Sequence, residues 1–215
     1  MKLPVSQLVL AAGSGVVVPR VPSPNTIGWP TRSGMAHGIT MSAKTTQRSW
    51  TRLRVILPTP SLIWVVDQVG ISAHFRALGH EAVGLDGSKE FVAMARSNSG
   101  CEVLHQDFLA MVLPKTHFHG VFANASLFHV PSKELPRVLR ELNAALRAGG
   151  VLFSSNPRGN NEEGLSDSRY CCFFNLETWR AYVTGAGFSE IRHYYRPPGL
   201  PRDKQPWLAT VWRKE

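Results

Sequence analysis

Asp86 is a candidate ligand-binding carboxylate because of where it lies in the chain. It ends a short apolar segment, residues 81–86, that has the pattern of a strand and runs into Gly87 and Ser88. In open α/β sheets, ligands bind beyond the C-terminal ends of the strands. A carboxylate there can accept hydrogen bonds from both hydroxyls of a ribose, each contributing ~1.5–3 kcal/mol. A turn or helix N-cap aspartate is an equally good interpretation of this position.

Asp107 and Phe108 follow the next apolar segment, residues 101–104. The carboxylate of Asp107 has the chemistry to accept a hydrogen bond from an adenine amino group, and Phe108 to flank the ring. Taken alone, Asp107 is better explained as a solvated acid in a turn.

A third group follows the apolar segment at residues 119–123. Asn124, Ala125 and Ser126 include small residues that allow close approach of a ligand, although a plain strand-to-helix turn has the same composition. His129 comes soon after and has the chemistry of a base near neutral pH. A structural histidine is the competing interpretation. We expect no metal site, because the histidines lack further ligands at a recognisable spacing.

Strands and helices alternate along most of the chain. This alternation predicts a mainly parallel sheet with both faces covered. Ser88 and Ser132 are the expected N-caps of the first two helices, and Gly149 and Gly150 the expected end of the second. The predicted strands are residues 62–66, 81–86, 101–104, 119–123, 151–154, 191–195 and 208–213, and the predicted helices are residues 89–97, 132–148 and 176–186.

The charge distribution excludes a nucleic-acid partner despite a formal net charge of +9. Residues 1–75 hold seven Lys and Arg and one acid, whereas residues 76–215 hold seventeen and fourteen, so the second part is nearly balanced. We expect no membrane partner, since no apolar run is long enough to span a bilayer. Three cysteines without a disulfide framework are typical of a cytoplasmic protein. The sequence carries no signal for an oligomeric state.

The N-terminal residues differ in character from the rest. Pro, Gly, Ser and Thr are scattered without periodicity through residues 1–61, which predicts an irregular or disordered N-terminal segment. Residues 62–215 are then the folded domain.

The motifs from Arg76 to the C-terminus resemble the class I S-adenosyl-L-methionine (SAM) methyltransferase family. They are GHEAVGLDGSKEFVAMAR, QDF, FHGVFANASLFHVP and LRELNAALRAGGVLFSS, in the family's order and spacing. The resemblance implies an α/β fold with a Rossmann-like, mainly parallel sheet of the class I methyltransferase type and SAM as cofactor. The same resemblance implies which residues bind the cofactor. Asp86, together with Gly87 and Ser88, would bind the ribose. Asp107 and Phe108 would contact the adenine, and Asn124 and Ala125 would lie near the methionine part.

The family's glycine-rich loop is missing from its expected place, where residues 61–69 read SLIWVVDQV. Read one base earlier, codons for residues 64–75 permit L-G-C-G-P-G-R-D-L-x-x-F. The same shift at residues 25–45 permits a G-T-R-D-H-D-V-S-Q-N block that resembles one found in bacterial members of the family. These two blocks suggest that the N-terminal third is a frame-shifted translation.

The resemblance implies a SAM-dependent methyltransferase that transfers a methyl group directly to a small-molecule acceptor. No appended RNA-binding module is visible, which favours a small substrate. His129 is the candidate catalytic residue. The alternative is a non-catalytic or defective methyltransferase-like protein, because the glycine loop would supply backbone contacts to the cofactor.

Overall fold

The computed structural model describes residues 8–10, 63–64, 75–166 and 169–215. The described residues form one large sheet, a separate two-stranded hairpin and helices packed against the sheet. The strands are β1 (Leu8–Leu10), β2 (Ile63–Trp64), β3 (Ala82–Asp86), β4 (Glu102–His105), β5 (Phe118–Asn124), β6 (Leu146–Pro157), β7 (Glu162–Ser166), β8 (Arg169–Phe173), β9 (Phe188–Arg196) and β10 (Trp207–Lys214). The helices are α1 (Lys89–Ser99), α2 (Leu135–Ala145) and α3 (Leu176–Thr184), with single 3₁₀ turns at Phe108–Ala110, Leu127–His129 and Arg202–Lys204.

The large sheet confirms the predicted mainly parallel α/β architecture. Strand β3 pairs in parallel with β4 and β2, and β5 pairs in parallel with β6. Strand β10 runs antiparallel between β6 and β9. The carboxyl ends of β3, β5 and β6 therefore meet at one edge of the sheet, which is where a ligand site is expected.

Two short strands lie beside β3. Ile63 and Trp64 of β2 pair with the first residues of β3, whereas β1 runs antiparallel along the remainder. Val9 of β1 pairs with Gly84 on β3 and with Phe122 on β5, so β1 bridges these two strands. A strand at Leu8–Leu10 differs from the irregular segment predicted for residues 1–61. The rest of that segment, and most of the expected glycine-loop positions, lie outside the described residues.

Helix α1 begins as predicted. Ser88 is its N-cap, and the Ser88 Oγ accepts a hydrogen bond from the backbone N–H of Phe91 at 3.3 Å. The helix ends at Ser99, two residues later than predicted, because Gly100 adopts a left-handed φ of 62° and stops it.

Helix α2 buries one apolar face, and its ends differ from those predicted. Leu135, Val138, Leu139 and Leu142 are all fully buried, and each such side chain contributes ~1.5–3 kcal/mol. The prediction that Ser132 is the N-cap is wrong, because the helix begins at Leu135. The backbone N–H of Ser132 instead donates to Glu163 of the hairpin at 2.9 Å.

The predicted helix end at Gly149-Gly150 is also wrong. The helix ends at Ala145, and both glycines belong to β6. The β5–β6 pairing contains a bulge, in which four residues of β6 lie opposite the single residue His119 of β5. Gly149 lies in this bulge with a φ of 71°, a conformation that residues with a side chain rarely adopt.

The hairpin β7–β8 was not predicted. It follows β6 and packs its second strand against the 3₁₀ turn at Leu127–His129. The described elements belong to one compact unit, while the second unit, Val16–Thr59, lies outside the described residues. Within the described part of the chain, no helix has the length and apolar character needed to cross a membrane.

Candidate functional site

Asp86 is a buried carboxylate at the carboxyl end of β3, with a relative exposure of 1%. Its Oδ1 accepts a hydrogen bond from the backbone N–H of Ser88 at 2.6 Å. Its Oδ2 is buried without a hydrogen-bond partner among the described residues. Burial raises the pKa of Asp86 to about 6, although the Ser88 N–H and the nearby His105 act in the opposite direction. A buried carboxylate oxygen without a donor is costly, and a ligand hydroxyl would relieve that cost.

The residues around Asp86 shape this end of β3. The Ser88 hydroxyl caps α1 and donates a hydrogen bond to Glu90 Oε2 at 2.9 Å. Ser88 therefore contacts Asp86 through its backbone N–H and not through its side chain. The carbonyl of Gly87 lies 3.1 Å from His105 Nε2, which ties β3 to the end of β4. The turn that holds Asp86 is therefore fixed from both sides.

Asp107 and Phe108 lie just beyond β4. Asp107 caps a 3₁₀ turn, where its Oδ1 accepts from the Leu109 N–H at 2.8 Å. Phe108 is fully buried, with a relative exposure of 0%. Asp107 is therefore the accessible member of the pair, and flanking of an adenine ring by Phe108 stays a prediction.

Asn124 and Ala125 end β5 at the same edge. The Oδ1 of Asn124 is buried without a partner in the described part of the chain, and so is the Oγ of Ser126. Ala125 has a φ of 53°, and its N–H donates to the Ser155 carbonyl at 2.8 Å. This conformation costs an alanine ~1–2 kcal/mol, so the turn is held by its surroundings.

Ser155 on β6 completes this group, and no sequence pattern singled it out. It is the register partner of Asn124, is fully buried, and its Oγ has no partner among the residues described. The rings of Phe122 and Phe153, two residues earlier on each strand, stack at 4.7 Å. Asn124 and Ser155 therefore point to the same face of the sheet.

Asp86 shares that face. Gly84 and Phe122 both pair with Val9, so the residues two positions later, Asp86 and Asn124, are at the same level on β3 and β5. Two strand spacings separate them, or roughly 10 Å. Three unpartnered oxygens, Asp86 Oδ2, Asn124 Oδ1 and Ser155 Oγ, thus lie along one face at the carboxyl edge. We call this set the open face.

His129 lies beside the hairpin and is 6% exposed. Its Nδ1 is 2.8 Å from the Tyr170 carbonyl, which can only accept, so Nδ1 carries the proton and Nε2 is left as the basic nitrogen. Nδ1 also lies 3.6 Å from Cys171 Sγ. Burial lowers the pKa of His129, and the charge of Arg169 lowers it further. The imidazole is therefore neutral at pH 7, as a general base requires.

The sequence offered one signal for the residues that were missed. The apolar run of β6 ends in the polar residues Ser154, Ser155 and Asn156, which is unusual for a buried strand. Asn156 points to the other face and lines a small cavity with Trp179 and Leu208. Among the described residues, His, Cys, Asp and Glu form no cluster suited to a metal ion.

Comparisons with known proteins give a family match for part of the chain and a match in fold. Residues 68–154 match the family model of a methyltransferase domain. No curated protein sequence matches the chain. Many solved structures match, and the two described below share less than 25% identity with the chain, so their likeness concerns the fold.

Two of these structures illustrate the similarity. The Burkholderia thailandensis 1,6-didemethyltoxoflavin-N1-methyltransferase, solved with 1,6-didemethyltoxoflavin and S-adenosylhomocysteine, is 19% identical with a TM-score of 0.55. The match covers 66% of this chain and 65% of that one. An S-adenosylmethionine-dependent methyltransferase from Mesorhizobium loti is 17% identical with a TM-score of 0.59, covering 77% of this chain and 97% of that one.

The family match covers β3, β4, β5 and β6 as far as Ser154, so it includes Asp86 and Asn124 of the open face and ends just before Ser155. The TM-scores of 0.55 and 0.59 show that the described chain shares its fold with these structures. Residues 68–154 are therefore similar in sequence to a methyltransferase domain, and the described chain has the Rossmann-like α/β fold of the class I methyltransferase type.

Proposed function

We propose that this protein binds SAM at the open face and transfers its methyl group to a small-molecule acceptor. The observation that carries the proposal is the alignment of three buried, unpartnered oxygens at the ends of β3, β5 and β6. Such groups are rare in folded proteins unless a ligand or water satisfies them. SAM carries hydroxyl and amino donors at both ends of its length, so the donor set fits.

The residues then take distinct roles. Asp86, held by Gly87 and Ser88, accepts from the ribose hydroxyls, and Asp107 accepts from the adenine amino group beside Phe108. Asn124, Ala125 and Ser155 lie near the methionine part. SAM supplies an electrophilic methyl group on its sulfonium, and this chain supplies proximity and orientation for an in-line displacement.

His129 is the proposed general base. The Tyr170 carbonyl fixes its tautomer, and burial keeps it neutral, so Nε2 can take a proton from the acceptor as the new bond to carbon forms. A base placed in this way contributes typically 10²–10⁴-fold to a rate.

A small acceptor and a cytoplasmic location complete the proposal. The Burkholderia protein was solved with bound 1,6-didemethyltoxoflavin, and the nearly balanced charge of residues 76–215 argues against a nucleic-acid substrate. The three cysteines are buried free thiols, which suits a reducing compartment. We also retain residues 62–215 as the proposed domain.

Titration calorimetry with SAM and S-adenosylhomocysteine tests the binding step. We expect Asp86→Asn to weaken binding by about 10- to 100-fold, because two charge-assisted hydrogen bonds become neutral ones. Asp203→Asn removes an exposed carboxylate and serves as the control, with unchanged affinity expected. Equal affinity in both variants would contradict the proposed site.

Radiolabelled methyl transfer from SAM into a small-molecule extract of the source cells tests the chemistry. His129→Gln should lower incorporation by about 10²–10⁴-fold with the SAM affinity unchanged. His117→Gln, at an exposed position, is the matched control. Incorporation that survives in His129→Gln removes this residue from the mechanism.

A non-catalytic role is the second candidate, and one observation favours it. Residues 61–69 contain no glycine where the family's cofactor loop is expected. Binding of S-adenosylhomocysteine without methyl transfer to any extract would support this role. A chain that binds neither compound would agree with a frame-shifted N-terminal third, which sequencing of the coding DNA across residues 20–80 would reveal.

A further inference from the structure

Two arginines converge on one tyrosine at the carboxyl edge of the sheet. The guanidinium carbon of Arg202 lies 3.1 Å from the ring centre of Tyr195, and that of Arg158 lies 5.6 Å from it. Arg158 follows the end of β6, Tyr195 is near the end of β9, and Arg202 lies in the connection to β10. Three separate parts of the chain thus bring two like charges together.

Neither arginine has a counterion within the described ranges of the chain. The salt bridges found there involve Arg137, Arg180 and His193. Arg158 instead donates to two carbonyls of the β9–β10 connection, Gln205 at 2.8 Å and Arg202 at 2.5 Å. Arg158 therefore holds the β9–β10 connection against the end of β6. Arg202, which belongs to that connection, lies against the same tyrosine ring as Arg158. Two like charges beside one ring repel each other, and an anion bound between them would replace this repulsion with attraction.

The arginine pair and the open face lie at the same carboxyl edge of the sheet, but on opposite faces. Tyr195 and Asn156 are both register partners of Leu208, so they share the face opposite to Ser155. Arg158 is three residues beyond Ser155, a span of at most roughly 10 Å. A small molecule lying across the edge can therefore reach both places at once.

We propose that Arg158, Arg202 and Tyr195 bind the oxyanion group of the methyl acceptor, a carboxylate or a phosphate. The inference rests on the proposed function, because it assigns the second substrate of that reaction. Guanidinium groups match planar and tetrahedral oxyanions through paired N–H donors, and the Tyr195 ring, against which both guanidinium groups lie, positions them.

Direct titration with two probes tests the site without knowledge of the acceptor. Inorganic phosphate and benzoate are titrated separately into the full chain, and the stronger of the two identifies the kind of oxyanion. We expect Arg158→Gln and Arg202→Gln each to lower the affinity for the preferred probe about 10-fold or more, because each removes a charge-assisted hydrogen bond.

Arg192→Gln is the matched control. Arg192 also stacks on a tyrosine, with its guanidinium carbon 4.9 Å from the ring centre of Tyr194, but on the other face of β9. Its loss removes the same charge and should change probe affinity less than about twofold. Because Arg158 also anchors a loop, Arg158→Lys separates charge from folding and should retain most of the binding.

The outcomes separate the two proposals. Absence of probe binding in the parent chain, or equal weakening by all three glutamine variants, overturns the oxyanion site. S-adenosylhomocysteine affinity is measured on every variant and should not change. If the parent chain binds the probe but not S-adenosylhomocysteine, the anion site stands and its assignment to a methyl acceptor fails together with the proposed function.

Discussion

Ser154 and Ser155 are neighbours on β6, both fully buried, and point to opposite faces of the sheet. Ser154 Oγ lies 2.7 Å from Thr210 Oγ1, whereas Ser155 Oγ has no partner among the described residues. The same residue type in the same strand is thus satisfied on one face and unsatisfied on the other. Ser154 is therefore hydrogen-bonded within the fold, whereas Ser155 is available to the ligand proposed above.

The satisfied side is centred on Thr210 of β10. Its Oγ1 accepts from the indole N–H of Trp179 at 3.1 Å and from that of Trp212 at 2.7 Å. Because both lone pairs are then used, the Thr210 hydroxyl donates to Ser154. We call these four residues the closed network. It links α3, β6 and β10 without the need of a ligand.

Thr210→Val should break the closed network and produce the largest effect. Valine keeps the shape but leaves two buried indole N–H groups without an acceptor, at about 1–3 kcal/mol each. We expect the free energy of unfolding to fall by about 2–5 kcal/mol in urea denaturation. Thr210→Ser keeps the hydroxyl and should lose only about 1 kcal/mol. A valine variant as stable as the parent would contradict the contrast between the faces.

The pH dependence of stability should reveal Asp86 on the open face. Its pKa is raised from 3.8 to about 6, so the folded chain holds this proton more tightly than the unfolded chain. This group therefore adds stability as the pH falls from 7 to 4, up to about 3 kcal/mol, and loses it as the pH rises through 6. Subtracting the curve of Asp86→Asn from that of the parent isolates the contribution. A flat difference between pH 4 and 7 would show that the carboxylate is not buried.

The two serines provide the closest comparison. Ser154→Ala should lower the free energy of unfolding by about 1–2 kcal/mol, since Thr210 loses its acceptor. Ser155→Ala removes an unsatisfied hydroxyl and should leave stability unchanged or raise it by up to about 1 kcal/mol. In titration calorimetry, Ser155→Ala should lower the affinity for S-adenosylhomocysteine severalfold, whereas Ser154→Ala should leave that affinity unchanged. If both substitutions lowered the free energy of unfolding, the distinction between a hydrogen-bonded Ser154 and an unpartnered Ser155 would be wrong.

Ala125→Gly should give the smallest effect. Its φ of 53° costs alanine ~1–2 kcal/mol, and glycine relieves this at an entropic cost of ~0.5–1 kcal/mol. We expect thermal unfolding to report a gain of up to about 1 kcal/mol. Ala144→Gly, inside α2, should instead lose about 1 kcal/mol.

Much of the open face could be predicted from the sequence, since it depends on local order along the chain. A strand that ends in an acid, followed by a serine cap, placed Asp86 correctly. Ser155 was out of reach because its state depends on residues far away in sequence, including the partner strand at Asn124. The satisfaction of Ser154 by Thr210 likewise joins positions that no local pattern connects.

The hairpin β7–β8 was missed for a different reason. Its first strand, Glu162–Ser166, has two acids and a glycine and lacks the alternation of apolar residues that marks a strand. It forms because its partner carries the buried Cys171 and Cys172, which pack towards His129 and Val130. The predicted ends of α2 were wrong for a similar reason, since both depend on contacts distant in sequence. The backbone of Ser132 donates to Glu163 of the hairpin and does not cap the helix. Gly149 lies in the bulge of β6 and does not end the helix.

The position of β10 between β6 and β9 has a consequence for how the chain folds. Strand β6 ends at Pro157, and its neighbour begins only at Trp207, so the pairing is distant in sequence and slow to form. Until it forms, the apolar stretch of β6 from Val151 to Phe153 has an unprotected edge that other chains can pair with. The nascent protein is therefore most prone to aggregate after β6 is made and before β10 has been inserted.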